Sequence, residues 1–238
     1  MSFAFIDLAS QQNRIRENID QKIAAVLNHG QYIMGPEVSE LETALSKRVA
    51  TNHVISCGSG TDALLLALMG LKLKPRQGVI VPSFTFTASA EVMPLLGAIP
   101  IFAEVDEETF TMDPARLADA LESAIDANIE VVGIMAVGLF GQPAQMDKIN
   151  AFAKSNGLWV LDDAAQSFGT EYQGSKTGAL AEVTCTSFFP AKPLGCYGDG
   201  GALFTQDDEI AEIARSCRVH GQGIHKYHTE RLGMTARL

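Results

Sequence analysis

The 238-residue sequence is poor in the features that mark membrane, metal-framework and nucleic-acid-binding chains. Its four cysteines, Cys57, Cys185, Cys196 and Cys217, are scattered without C-x-x-C spacing, so they build neither a zinc framework nor a disulfide scaffold and read as reduced thiols. No stretch approaches the roughly 20 uninterrupted apolar residues of a membrane span. The amino end, Met1 to Asp7, lacks the charged and apolar regions of a signal peptide, and a cytoplasmic location is expected. Lys and Arg number 18 against 28 Asp and Glu, a formal charge of −10, with no basic run. Nucleic acid is therefore an unsuitable partner, since phosphate backbones are held chiefly by clustered cations. An anionic ligand would need a local positive site, which helix amino termini supply. His220, His225 and His228 lack nearby carboxylate or thiolate clustering, so no metal site is expected. Internal repeats, low-complexity linkers, nucleophile elbows, P-loops and paired-carboxylate patterns are missing too.

What is present is core material and a regular alternation of elements. Hydrophobic residues make up 47% of the chain, enough for one large domain. Ile15, Ile19, Ile23 and Leu27 recur every four residues and predict a helix ending near Gly30. After a turn over Gln31 to Pro36, Val38, Leu41 and Leu45 start a second amphipathic helix. From there, short apolar runs at 54–55, 79–81, 101–102, 131–137, 158–161, 184–189 and 202–204 alternate with helix-like segments at 61–71, 89–96, 114–127 and 146–156. Continuous hydrophobicity suits strands buried on both faces, and the pattern predicts an α/β fold with helices on both sides of a mostly parallel sheet.

Three segments carry chemistry. Gly58-Ser59-Gly60-Thr61 follows a strand and opens the apolar helix from Ala63, so its free N–H groups and positive dipole end form a phosphate cradle. The same residues satisfy G-x-G-x-x-A, but the acidic residue that a dinucleotide site needs about 20 positions later is missing from Val79 to Thr85. Asp162 and Asp163 close the strand Leu158 to Leu161. A buried carboxylate needs a cationic partner such as a protonated pyridine nitrogen, although a helix cap is the plainer role, and alternation lets only one of the two face a site. Lys192 follows the strand 184–189 among Pro190, Pro193 and a run of glycines. A lysine so placed can bond a cofactor aldehyde and then act as a base. Ser187 could join Gly60 and Thr61 on a phosphate, Phe86 could cover an aromatic ring, and Gln166 could bond a phenolic oxygen, each with an ordinary structural role as the alternative. Together these residues suit pyridoxal 5'-phosphate.

The residues Gly35-Pro36-Glu37-Val38, Gly58 to Leu64, Pro82 to Phe86, Gly141-Gln142, Asp163-Ala164-Ala165-Gln166, Ser187 to Lys192 and Gly198-Asp199-Gly200-Gly201 resemble the DegT/DnrJ/EryC1/StrS nucleotide-sugar aminotransferases. The resemblance implies the large domain of the pyridoxal-phosphate fold type I, here a helical segment over 1–30 and a cofactor-binding domain over 31–238, ending before a smaller carboxyl-terminal domain. It implies Lys192 as the cofactor-bonding lysine, where relatives with histidine dehydrate sugars instead, Asp163 and not Asp162 on the ring nitrogen, and Gln166 on the phenolic oxygen. It also implies glutamate as amino donor and a homodimer with shared sites, in which Thr235 and Arg237 reach the substrate or the partner subunit's cofactor. Thr235 stands where the family usually has asparagine. The run Thr186 to Gly201 is similar to the branch acting on UDP-2-acetamido-2-deoxy-3-oxo-glucuronate in bacterial surface polysaccharide synthesis. A 4-keto sugar as acceptor, and a non-catalytic cofactor-binding regulator, are the alternatives.

Overall fold

Asp7 starts the first helix, α1 (Leu8–His29), by accepting the Ser10 amide at 2.9 Å, and Gly30 ends it in the left-handed conformation (φ 71°) that glycine adopts without steric penalty. The structure is a computed structural model describing residues 6–225 and 227–238. The first five residues of the expected helical segment, and Lys226, lie outside the described residues. Helix α1 buries none of its residues, so Ile15, Ile23 and Leu27 stay exposed. Helix α2 (Pro36–Val49) follows and buries Leu45 and Val49.

Seven strands then form one sheet: β1 (His53–Cys57), β2 (Gly78–Pro82), β3 (Ile99–Ala103), β4 (Val131–Val137), β5 (Trp159–Asp163), β8 (Val183–Ser187) and β9 (Gly201–Thr205). A two-stranded hairpin, β6 (Glu171–Tyr172) with β7 (Ser175–Lys176), stands apart. The order is β1-β9-β8-β5-β4-β2-β3, and β9 runs against both neighbours while the rest share one direction. Every residue of β2 is buried, as a continuous apolar run requires when helices cover both faces, and so is every residue of β8, although Thr184, Thr186 and Ser187 carry hydroxyls. On one face lie α3 (Gly60–Gly70), α4 (Ala88–Leu95) and α7 (Asp208–Cys217), with Leu66, Leu68, Val92 and Met93 in a core shared with Met135 and Leu161. On the other lie α5 (Leu117–Asp126) and α6 (Met146–Asn156), packed through Leu117, Ile149 and Met146 onto Ile80, Ile134 and Val160.

The strand expected at 184–189 ends at Ser187, because the chain turns there and the Phe188 amide bonds Gly200 O at 2.7 Å. Helix α7 and the small hairpin are absent from the sequence pattern. Four of its ten residues are charged, and Ile210, Ala211, Ile213, Ala214 and Cys217 face the core. Because six strands point one way, the carboxyl ends of β1, β2, β4, β5 and β8 open onto the same edge of the sheet, the usual place for a ligand in an open α/β fold. Among the described residues no helix is long and apolar enough to cross a membrane.

Candidate active site

At that edge is a cavity of about 380 Å³, and Gly60, Thr61, Phe86, Asp163, Gln166, Ser187 and Lys192 all line it. One end is the cradle. Ser59, in extended conformation, caps α3 by accepting the Asp62 amide at 3.0 Å, which leaves the first-turn amides of Gly60 and Thr61 outside the helix ladder. Glycine at 60 is a packing requirement, since a Cβ there would lie 2.7 Å from Ser187 Cβ. Gly201 backs the same turn, where a Cβ would meet Ser59 O at 2.4 Å. Ser187 accepts the Phe189 amide at 3.2 Å, so its hydroxyl hydrogen remains available to an anion.

The other end is acidic. Asp163 closes β5 with 6% of its surface exposed; its Oδ2 accepts from Ser89 Oγ at 2.7 Å and its Oδ1 from the Ala165 amide at 3.1 Å. Burial raises its pKa, opposed by those two hydrogen bonds and by the charge of Lys192. The neighbouring Asp162 is buried as well but does not line the cavity. Gln166 accepts the Phe140 amide through Oε1 at 2.9 Å, which fixes the side chain and leaves its NH₂ to donate. Lys192 sits in the turn after β8, where its amide bonds Phe189 O at 2.8 Å, and its side chain shares the cavity with Asp163.

Thr235 and Arg237 do not line this cavity. Thr235 Oγ1 lies 2.6 Å from His220 Nε2, and the adjoining Ala236 bridges Gly58 and Arg218 through its carbonyl oxygen and amide, both at 3.1 Å. The structure adds Ser59, Ser89, Leu139, Ala165 and Asp199 to the lining. Of these, Ser89 carried a readable signal: it lies on the buried stripe of α4 with Val92 and Met93, and a polar side chain there needs a partner. Asp199 adds to burial in raising the pKa of Asp62 beside the cradle.

With this geometry in hand, the chain matches the DegT/DnrJ/EryC1/StrS aminotransferase family over residues 13–238. It is 50% identical, over 98% of its length and 63% of the relative's, to a Pseudomonas aeruginosa protein named UDP-2-acetamido-2-deoxy-3-oxo-D-glucuronate aminotransferase. A crystal structure of a DegT DnrJ EryC1 StrS aminotransferase from Brucella abortus superposes with a TM-score of 0.97 at 44% identity, covering 100% of this chain and 64% of that one. S. venezuelae DesV in complex with a ketimine intermediate gives a TM-score of 0.93 at 38% identity, covering 99% and 62%. The chain thus spans less than two thirds of the length of each of these relatives.

Proposed function

The chain belongs to the DegT/DnrJ/EryC1/StrS aminotransferase family, and from that premise we propose that its cavity holds pyridoxal 5'-phosphate and serves transfer of an amino group from glutamate to a nucleotide-linked keto-sugar. The residues present fit the group: an anion cradle at one end, a buried carboxylate at the other and a lysine amine in the same cavity. When bound, that cofactor supplies an aldehyde for nitrogen exchange and a ring that accepts electrons. The amides of Gly60 and Thr61 and the hydroxyls of Thr61 and Ser187 hold its phosphate. Asp163 receives the cationic ring nitrogen, and Ser89 and the Ala165 amide orient the carboxylate for it. Gln166 donates to the phenolic oxygen, and Phe86 shields the ring from water. Lys192 Nζ would hold the cofactor's aldehyde carbon and, once the amino donor displaced it, would carry the donor's α-proton to that carbon.

The single observation that carries the reading is the shared cavity of Lys192 and Asp163, residues whose chemistry is of use to this cofactor only if one molecule can touch both. Lys192→Ala is expected to abolish the visible absorbance of lysine-bound cofactor in the full-length protein, and a band of undiminished intensity would rule the assignment out. Similarity to the Pseudomonas protein favours UDP-2-acetamido-2-deoxy-3-oxo-glucuronate as acceptor and a place in bacterial surface polysaccharide synthesis. A panel of UDP- and dTDP-linked 3-keto and 4-keto sugars, with glutamate as donor, tests that choice. Binding without any amino transfer would favour a non-catalytic regulator.

The reading includes a cytoplasmic homodimer with shared sites. Support comes from an exposed aromatic cluster, where Phe84, Phe110 and Phe140 have ring centroids 5.8 to 6.4 Å apart, and from Ile224 and Leu232, 95% and 89% exposed, close in sequence to Thr235 and Arg237. Apolar surface of this kind is what a second copy covers. Phe110→Ser with Phe140→Ser is expected to shift the protein toward monomer in light scattering, and unchanged mass would count against this interface.

A further inference from the structure

We propose that Asp162 is a proton-holding positioning residue for Asp163: on the acid side of neutrality it is a neutral acid, so that there Asp163 alone carries the negative charge of the pair. Strand alternation sends the two side chains to opposite faces of β5, and the two faces treat them differently. Asp163 meets two donors, Ser89 Oγ and the Ala165 amide, and shares its cavity with the Lys192 amine. Asp162 is 1% exposed, and neither carboxylate oxygen has a donor among the described residues. Its register neighbours are Ala136 on β4, which is apolar, and Thr184 on β8, whose buried hydroxyl is likewise unpartnered.

An ionised carboxylate in such surroundings loses its hydration and gains nothing in return. When adjacent acids are so unequally supported, the proton settles on the unsupported one, and the pair titrates as a unit. Burial, and after it the charge of Asp163, push the Asp162 pKa up to about 7. The other titratable group coupled to it is the Cys185 thiol, which burial pushes well above its ordinary value and keeps neutral. The consequence for the site rests on the proposed function: below about pH 7 a ring nitrogen beside Asp163 faces one carboxylate charge, and above it two.

The test uses infrared spectroscopy of the cofactor-free protein. The wild type is expected to show a protonated-carboxyl C=O band at about pH 6 that falls to about a tenth by one pH unit above its midpoint near 7. Asp162→Asn, isosteric with the neutral acid, should lack the band, and Asp163→Asn should keep it. A wild type without the band, or a band lost in Asp163→Asn and kept in Asp162→Asn, overturns the proposal. Carbon-13 NMR of labelled aspartate in the wild type reads the same titration without any substitution, and all aspartates titrating in the acid range would equally overturn it. Cofactor binding by Asp163→Asn is a separate measurement: retained affinity there would defeat the cofactor reading while leaving the location of the proton standing.

Discussion

Ser89 Oγ donates a 2.7 Å hydrogen bond to Asp163 Oδ2 across 74 residues of sequence. Because the carboxylate takes the Ser89 hydrogen, the 3.1 Å contact between Ser89 Oγ and Thr85 Oγ1 has Thr85 as donor. The first turn of α4 thus ends a short hydroxyl relay on the buried acid and holds its plane toward the cavity.

Ser89→Ala removes one charge-assisted hydrogen bond, worth about 1.5 to 3 kcal/mol, from a carboxylate that burial already disfavours. Cofactor affinity is expected to weaken roughly 10- to 100-fold in an absorbance titration, with a smaller loss for Thr85→Ala. Affinity within about twofold of wild type would mean the bond does not orient Asp163.

Gly60→Ala places a methyl 2.7 Å from Ser187 Cβ and is expected to destabilise the protein by about 1 to 3 kcal/mol as well as weaken cofactor binding. Adding Ser187→Gly removes the colliding Cβ and should restore much of the thermal midpoint, whereas Ser187→Ala should not. Equal midpoints for the two double variants would contradict the contact.

The pH dependence of stability follows from Asp162. Its folded pKa, about 7, lies above the ordinary 3.8, so between these values the native state binds more protons than the unfolded state and stability falls as pH rises. Asp162→Asn, which does not titrate, should match the wild type near pH 4 and exceed it by up to about 4 kcal/mol near pH 8, from about three pK units at 1.36 kcal/mol each. Urea unfolding of the cofactor-free proteins across this range measures the gap; a constant gap would exclude a raised native pKa.

Arg218, 5% exposed, donates through Nη1 to Glu42 Oε1 at 2.7 Å and to Ser56 O at 2.8 Å. It ties α2 and β1 to the segment after α7, and its carbonyl holds Ala236, which in turn accepts the Gly58 amide. Arg218→Leu leaves Glu42 short of its cation and is expected to cost about 3 to 5 kcal/mol in denaturant unfolding. A loss under about 1 kcal/mol would show that the pair is dispensable.

Most elements were legible because their signals are local. The four-residue stripe of α1, the apolar runs of β2 and β4 and the Gly-rich start of α3 each follow from the period or length of a single segment. Helix α7 carries a local signal of the same kind, Ile210, Ala211, Ile213, Ala214 and Cys217 at helical spacing, but it is only ten residues long and three of its five core-facing residues are small. Of the site, Gly60, Thr61, Ser187 and Lys192 stand out by strand-end placement and Ser89 by its polarity on a buried stripe, whereas Leu139 enters the cavity through packing.

The alternation of strands and helices, the glycine turn at an α-helix start and the supply of one lysine and two adjacent acids can be read along the chain, because each is encoded within a few consecutive residues. Residue types alone leave open which acid meets the cavity; the family resemblance points to Asp163, and packing puts that one there. Alternation says that Asp162 and Asp163 point opposite ways, but Ser89 reaches Asp163 from α4 and Lys192 shares its cavity from the turn after β8, while Asp162 is left between Ala136 and Thr184 with no donor among the described residues. Charge and hydration are set by whatever packs around a group, and here those neighbours lie far away along the chain.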